Sequence, residues 1–351
     1  MEIGNDARIP RRSGGSSGEV APGVRRPLIY PHVAPAYTFP LPCVADDFLD
    51  TRLTERRNPR STTIDTASAL EIVDLIGAED ATVPGAVARA RDEIARAIEL
   101  IETAFRSGGR LLYVGAGTSG RLGVLDAAEC PPTFGTAPEM VVGIIAGGLP
   151  ALIRSIEGAE DDVNAGIGEM DARRVGPDDV VVGIAASGTT PFVRAALSRA
   201  QTLGARTALI SCSEPPALLK ETCDVCIAVL VGPEVVTGST RMKSGTATKL
   251  VLNTLTTGAM IRLGKTYGNL MVDLRAWNDK LVDRSQRIVM ETTGLGREEA
   301  RVVLDAAEGS VKVAIVMARR SVTREEAERL LGEHAGHLRS IVGDPPVVRG
   351  P

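Results

Sequence analysis

The stretch RLLYVGAGTSGRLGVLDAAECPP, residues 110–132, begins as an unbroken apolar run, passes through glycines and two hydroxyls, and continues as a helical pattern. An apolar run without alternation is the mark of a strand covered on both faces, as in parallel sheets. Gly115, Gly117 and Gly120 let the backbone approach a ligand closely. The helix that follows offers free N–H groups and a partial positive charge at its start. The unit therefore reads strand, anion-binding loop, helix. The helix is expected over about 119–129, ending on Glu129 because Pro131-Pro132 stops it.

Four more runs of the same kind follow: MVVGIIAG (140–147), DVVVGIAASG (179–188), RTALISCS (206–213) and DVCIAVLVG (224–232). Helical patterns lie between them at about 150–170, 190–203 and 215–221. Strand and helix in regular alternation predict an α/β fold, a doubly wound parallel five-stranded sheet in a layer sandwich. Two helices are expected ahead of it. One starts after Thr66, with Ala69, Ile72, Val73, Leu75 and Ile76 on one face, and the other runs from about Pro84 to Ser107. A long helix over 244–266 follows the sheet. Three short helices, starting near Asp283, Arg297 and Thr323, make a small C-terminal helical domain over 281–351. Residues 1–50 are rich in Gly, Ser, Pro and Arg, without period, and are expected to be a disordered extension. That leaves 51–280 as the main domain. No internal repeat is visible.

The chain has 351 residues, 44% of them apolar and 24% charged, so a sizeable core is available. Its formal charge of −4 and 3% aromatic content argue against nucleic-acid binding, which needs basic surface or stacking platforms. No apolar run has the length of a membrane span, and the N-terminus lacks the apolar stretch of a secretory signal. A cytoplasmic location is the expectation. Five cysteines, an odd number, do not suggest a disulfide framework. Cys223 and Cys226 form a lone CxxC at the start of a strand-like run, where buried structural thiols are expected. His32, His334 and His337 offer no metal-ligand spacing beside them, so no metal is expected.

Three loops follow strand candidates, and all are small and hydroxylated: Gly115–Gly120, Ser187–Thr190 and Thr237–Lys243. In open α/β sheets ligands bind beyond the carboxyl ends of the strands. Such loops hold a phosphate dianion without a P-loop lysine. Gly115, Gly117 and Gly120 also fit G-x-G-x-x-G, but no acidic residue is placed to grip a ribose, and Asp126 falls inside the following helix.

These residues carry a resemblance. The loops resemble those of sugar isomerase (SIS) domains, which bind phosphosugars. More narrowly, Thr54–Arg60, Gly109–Pro132, Glu157–Asp162, Gly232–Lys243 and Gly268–Asp273 resemble the N-acetylmuramic acid 6-phosphate etherase family, over about 50–345. The resemblance implies a lyase that removes D-lactate from its phosphorylated amino sugar by elimination and water addition on the ring-opened form. It implies no cofactor, a homodimer with the site shared between subunits, and a setting in cell-wall amino-sugar recovery. Glu129 and Glu160 match its catalytic glutamates, one as acid and one as base. Thr118, Ser119, Ser187, Thr189 and Thr190 are the expected phosphate contacts. Ser239, Thr240, Arg241 and Lys243 are further candidates, with Arg241 or Lys243 at the lactyl carboxylate. The family usually has Ser-Gly-Arg-Thr-Pro where this chain has Ser187-Gly-Thr-Thr-Pro191.

Elimination beside an aldehyde needs a base for the C2 proton and an acid for the departing lactate oxygen, because an alkoxide leaves poorly. A helix C-terminus would favour a protonated Glu129. Crowding by Glu157, Asp161 and Asp162 would make Glu160 more basic. An aldose–ketose isomerase on the same fold also uses a base at C2 but needs no acid at C3. A non-catalytic phosphosugar-sensing regulator needs neither glutamate.

Overall fold

The computed structural model describes residues 52–274 and 279–347. The expectation for residues 1–50, with Cys43 and His32, lies outside them. Five parallel strands form at the expected places: β1 (Leu111–Gly115), β2 (Val141–Ile145), β3 (Val180–Ile184), β4 (Arg206–Ser211) and β5 (Val225–Ala228). Their order is β2-β1-β3-β4-β5. Every residue of β1 and β3 is buried, as their unbroken apolar runs require.

Side-chain alternation splits β1 between two layers. Leu111 and Tyr113 enter one core and Leu112 and Val114 the other. Around the first core pack α2 (Val83–Arg89), α3 (Arg91–Arg106), α4 (Gly117–Phe134) and α9 (Lys243–Arg262). Around the second pack α6 (Val163–Ala172), α7 (Pro191–Thr202) and α8 (Ala217–Thr222). The chain leaves β1 through α4 to reach β2 on one side, and leaves β3 through α7 to reach β4 on the other. The strand order therefore reverses between β1 and β3, and a crevice opens at their carboxyl ends.

Several helices differ from the sequence expectation. The helix expected from Pro84 to Ser107 breaks at Ala90, whose φ of −95° and ψ of 17° interrupt the helical path. The one expected over 150–170 is three pieces: α5 (Pro150–Ile153), a 3-10 turn at Ala159–Asp161, and α6. Gly158, at φ +72°, turns the chain between them. Helix α4 does not stop at Glu129 but continues through Pro131 and Pro132 to Gly135. Proline's fixed φ is itself helical, so a pair in the last turn removes ladder bonds without reversing the chain. Gly135, at φ +64°, closes the helix by donating its N–H to the Pro131 carbonyl at 3.0 Å.

Helix α1 (Ala69–Asp80) starts with a capping box between Ser68 and Glu71. Its expected apolar face is not core: Val73 is 64% exposed, and Ile72, Leu75 and Ile76 are half-buried. Helix α9 ends at Arg262, and the residues after it form a short hairpin, β6 (Thr266–Tyr267) with β7 (Leu270–Met271). Among the described residues the C-terminal region holds five helices instead of three: α10 (Asp279–Thr293), α11 (Arg297–Ala306), α12 (Val311–Arg320), α13 (Arg324–Glu333) and α14 (Leu338–Val342). Helix α12 is the centre of their core, with Val311 to Val316 all buried. Tyr267, Val272 and Leu274 join that core. Among the described residues no helix is long and apolar enough to cross a membrane.

Candidate functional site

At the carboxyl ends of β1 and β3 lies a cavity of about 370 Å³. Ser119 reaches it from the first turn of α4, and Ser187, Thr189 and Thr190 from the loop between β3 and α7. Thr240, Glu160 and Asp161 add to the polar wall. A second cleft of about 340 Å³ adjoins it along Gly117, Arg121 and Glu157, with Ala116 and Glu160 bordering both.

The loop hydroxyls are held in place before any ligand enters. Ser187 Oγ and Thr189 Oγ1 are 2.8 Å apart, and the Thr189 N–H donates to Ser187 Oγ at 3.2 Å. Gly188 takes φ +74°, and a Cβ there would stand 3.0 Å from Pro216 Cδ. The start of α4 is equally tight. A Cβ on Gly120 would lie 2.6 Å from Ile145 Cγ1 and 2.7 Å from the Gly115 carbonyl oxygen. The Gly120→Ala variant is therefore expected to lose about 1–3 kcal/mol of stability by overpacking. It should also bind phosphate more weakly, because Ser119 must move with the displaced turn. Unchanged urea midpoints would overturn that expectation.

The segment 52–61 packs onto the loop before α9. Gly238 donates to the Thr54 carbonyl at 3.2 Å, Asn58 Nδ2 to the Pro233 carbonyl at 3.3 Å, and Ser61 Oγ to the Val235 carbonyl at 2.8 Å. This docking places Arg52 and Glu55 on the cavity wall. Residue-level reasoning did not single out either one. For Glu55 the signal was the run Thr54–Arg60, which carried the resemblance without a role attached; Arg52 lies just ahead of that run.

Glu234 is fully buried and caps α9. Its carboxylate accepts from the Lys243 N–H at 3.0 Å, the Ser244 N–H at 2.9 Å and Ser244 Oγ at 2.8 Å. Lys243 itself is not placed as expected. It is 2% exposed, its Nζ lies 2.5 Å from Glu79 Oε2, and it donates to the Val231 carbonyl at 2.9 Å. Lys243 is held away from the cavity and does not line it. Burial works to raise the Glu79 carboxyl, but hydrogen bonds from Lys243 and Asn58 and the charges of Lys243 and Arg60 hold it below the usual range. Arg241 is exposed, and neither it nor Ser239 lines the cavity. Thr118 faces α9 instead, beside Gly245.

The two glutamates are far apart within one chain. Glu160 is on the 3-10 turn at the cavity. Glu129 lies on the exposed face of α4 near Leu125, twelve residues beyond Gly117, which is about 18 Å of helix. It also precedes the last turn, so the helix-end charge expected to act on it falls off before reaching it. Below it, buried Asp126 accepts from Asn253 Nδ2 at 2.8 Å and Thr256 Oγ1 at 3.3 Å, tying α4 to α9. Burial raises the Asp126 carboxyl against those bonds. Asp162, beside Glu160, caps α6 by accepting from the Ala165 N–H at 2.8 Å. Cys223 is buried and Cys226 half-buried.

Comparison with known proteins settles which family this is. The chain is 50% identical over 294 residues to the N-acetylmuramic acid 6-phosphate etherase of Photorhabdus laumondii, covering 84% of this chain and 97% of that one. It is 54% identical over 286 residues to the one of Glaesserella parasuis, covering 82% and 94%. The chain belongs to the N-acetylmuramic acid 6-phosphate etherase family. Within this etherase-family chain, residues 93–201 match the family model of the glucokinase regulatory protein N-terminal SIS domain. A phosphoheptose isomerase from Francisella tularensis aligns at 17% identity with a TM-score of 0.46, covering 56% of the etherase-family chain and 100% of its own.

Proposed function

We propose that this chain is a lyase that cleaves the D-lactyl ether of N-acetylmuramic acid 6-phosphate. The products are N-acetylglucosamine 6-phosphate and D-lactate. The observation that carries the reading is the identity of 50% or more across nearly the whole length of proteins that bear this name. The hydroxyl-lined cavity with Glu160 on its wall suits the chemistry. Ser119, Ser187, Thr189, Thr190 and Thr240 hold the phosphate at the reversal point of the sheet.

In the proposed sequence the Glu160 carboxylate takes the C2 proton of the open-chain aldehyde. The C3–O bond breaks as electrons move in from C2. Glu129 gives its proton to the departing lactate oxygen. Water then adds at C3 of the unsaturated aldehyde, delivering its proton to Glu129, and Glu160 returns a proton to C2. The net change is hydrolysis of one ether, and each carboxyl ends in its starting state.

Both carboxyls must meet one sugar, and about 18 Å of helix separates Glu129 from the loop of its own chain. Glu129 is therefore read as serving the cavity of a second copy, in a homodimer. Exposed Leu125 on α4, Leu149 and Ile153 at α5, and Leu70 and Val73 on α1 are apolar surface for such a contact. A phosphorylated sugar does not cross membranes unaided, which fits a cytoplasmic site of action.

The test is D-lactate release from N-acetylmuramic acid 6-phosphate, with the unphosphorylated sugar and glucosamine 6-phosphate alongside. Lactate from the phosphorylated substrate alone is the expected result. Saturable binding without lactate would overturn the enzyme reading, and isomerised glucosamine 6-phosphate would replace it with an isomerase.

A further inference from the structure

The phosphate-binding cavity has a charge problem. Its hydroxyls supply dipoles, but Glu55, Glu160 and Asp161 also line it, and all three are carboxyls. A phosphate dianion entering such a cavity meets like charge on its wall. The loop between β3 and α7 does not answer this, because it carries no cation and has Thr189 after Gly188. Thr189 offers a hydroxyl, and that hydroxyl is already 2.8 Å from Ser187 Oγ.

Among the described residues lining the cavity, Arg52 is the one cation. It comes from outside the sheet, on the segment that the Gly238–Thr54 and Asn58–Pro233 bonds fix against the loop before α9. Its backbone is therefore anchored on the same wall that carries Thr240. We propose that Arg52 is a phosphate-binding residue in this chain, and that it supplies the positive charge absent from position 189. The assignment rests on the etherase reading. It adds a specificity determinant: a guanidinium that makes the cavity select phosphorylated sugars over neutral ones. A guanidinium suits the task because its planar fork matches two phosphate oxygens at once, and charge-assisted bonds of this kind are the strong ones.

The experiment compares wild type with Arg52→Gln, Thr189→Arg and the double variant. For Arg52→Gln, KM for the phosphorylated substrate should rise about tenfold or more while kcat stays nearly level. Competitive inhibition by inorganic phosphate should weaken by a similar factor. Inhibition by D-lactate should not change, which separates the phosphate from the lactyl carboxylate as the anion held. Thr189→Arg in the Arg52→Gln background should restore most of the phosphate affinity by placing a charge on the loop.

Unchanged phosphate inhibition in Arg52→Gln would overturn the proposal. So would a loss confined to D-lactate, or a double variant no better than the single one. Phosphate binding is also read by calorimetry, without turnover. A wild type that binds phosphate through Arg52 but releases no lactate would sink the etherase reading alone. A wild type that releases lactate with Arg52 silent would sink this proposal alone. If Arg52→Gln melts early, Arg52→Lys decides the matter. A point charge in place of the fork should keep the fold and give intermediate phosphate affinity, whereas wild-type affinity with the fork removed would count against bidentate binding by Arg52.

Discussion

Glu160→Gln is expected to lower kcat for D-lactate release by about 10²- to 10⁴-fold, the usual contribution of a positioned acid or base. The amide keeps the shape of the side chain on its 3-10 turn but cannot accept the C2 proton. KM should move little, because the phosphate contacts lie on other segments. Glu129→Gln should show a loss of similar size for a different reason: the lactate oxygen must then leave unprotonated. The two variants also test where each glutamate acts. If Glu129 serves the second copy, mixing the two inactive proteins after exchange of subunits should recover activity. Random pairing makes half the dimers mixed, and each mixed dimer has one intact site of two, so roughly a quarter of the wild-type rate should return. If both glutamates act in one chain, the mixture stays inactive. Recovery of none of the activity would overturn the shared-site reading, and a Glu160→Gln protein with full kcat would remove Glu160 from the mechanism.

The second large effect concerns stability. Lys243 occupies the first position of α9, where the helix end is already partly positive. It is also buried, so its charge is tolerated only because Glu79, 1% exposed, stands 2.5 Å away. Removing Glu79 as Glu79→Ala leaves an ammonium with one carbonyl for company. Breaking a buried pair in this way costs about 3–5 kcal/mol, a melting-temperature drop on the order of 10 °C for a chain of this size. The double variant Glu79→Leu, Lys243→Met should recover most of the loss, because it removes both charges together. The sign with pH follows from the lowered Glu79 carboxyl. Its contribution is present above the ordinary carboxylate range and is lost as pH falls through its folded value. The gap between wild type and Glu79→Ala should therefore narrow in acid. A single variant within about 1 kcal/mol of wild type, or a double variant no better than the single one, would show that the pair is not what holds Lys243.

The sheet was legible in the sequence because both of its faces are covered. Burial on two sides leaves an unbroken apolar run, and five such runs became five strands. The same logic explains why α12 was missed. Val313 to Val316 form a short continuous apolar run, which does not by itself distinguish a buried helix from a strand. For the site, local chemistry was legible and direction was not. Ser119, Ser187, Thr189, Thr190, Thr240 and Glu160 gather at one cavity because the ends of adjacent strands must lie together. Lys243 stands in the same stretch as Thr240, yet its side chain turns back to a carboxyl 164 residues earlier in the chain. Spacing along one segment cannot reveal a partner that distant. Arg52 was hidden for the converse reason, since the segment that carries it reaches the cavity only through tertiary hydrogen bonds.

The proline pair in α4 has a mechanical consequence. Residues 131 and 132 have no N–H to give, so the carbonyls of Ala127 and Ala128 receive no ladder bond from them. Those carbonyls lie just before Glu129, in the turn from which it projects. Two ladder bonds are missing there, so flexing the helix at this turn breaks fewer hydrogen bonds than elsewhere. Upstream, the crowded contacts of Gly120 and the bonds of Asp126 pin the helix to the sheet and to α9. The far end is held differently: Cys130, Pro131 and Phe134 are buried, so packing stands in for the missing bonds. Glu129 projects from the exposed face of this part of the helix, where its orientation can be set by whatever packs against that face.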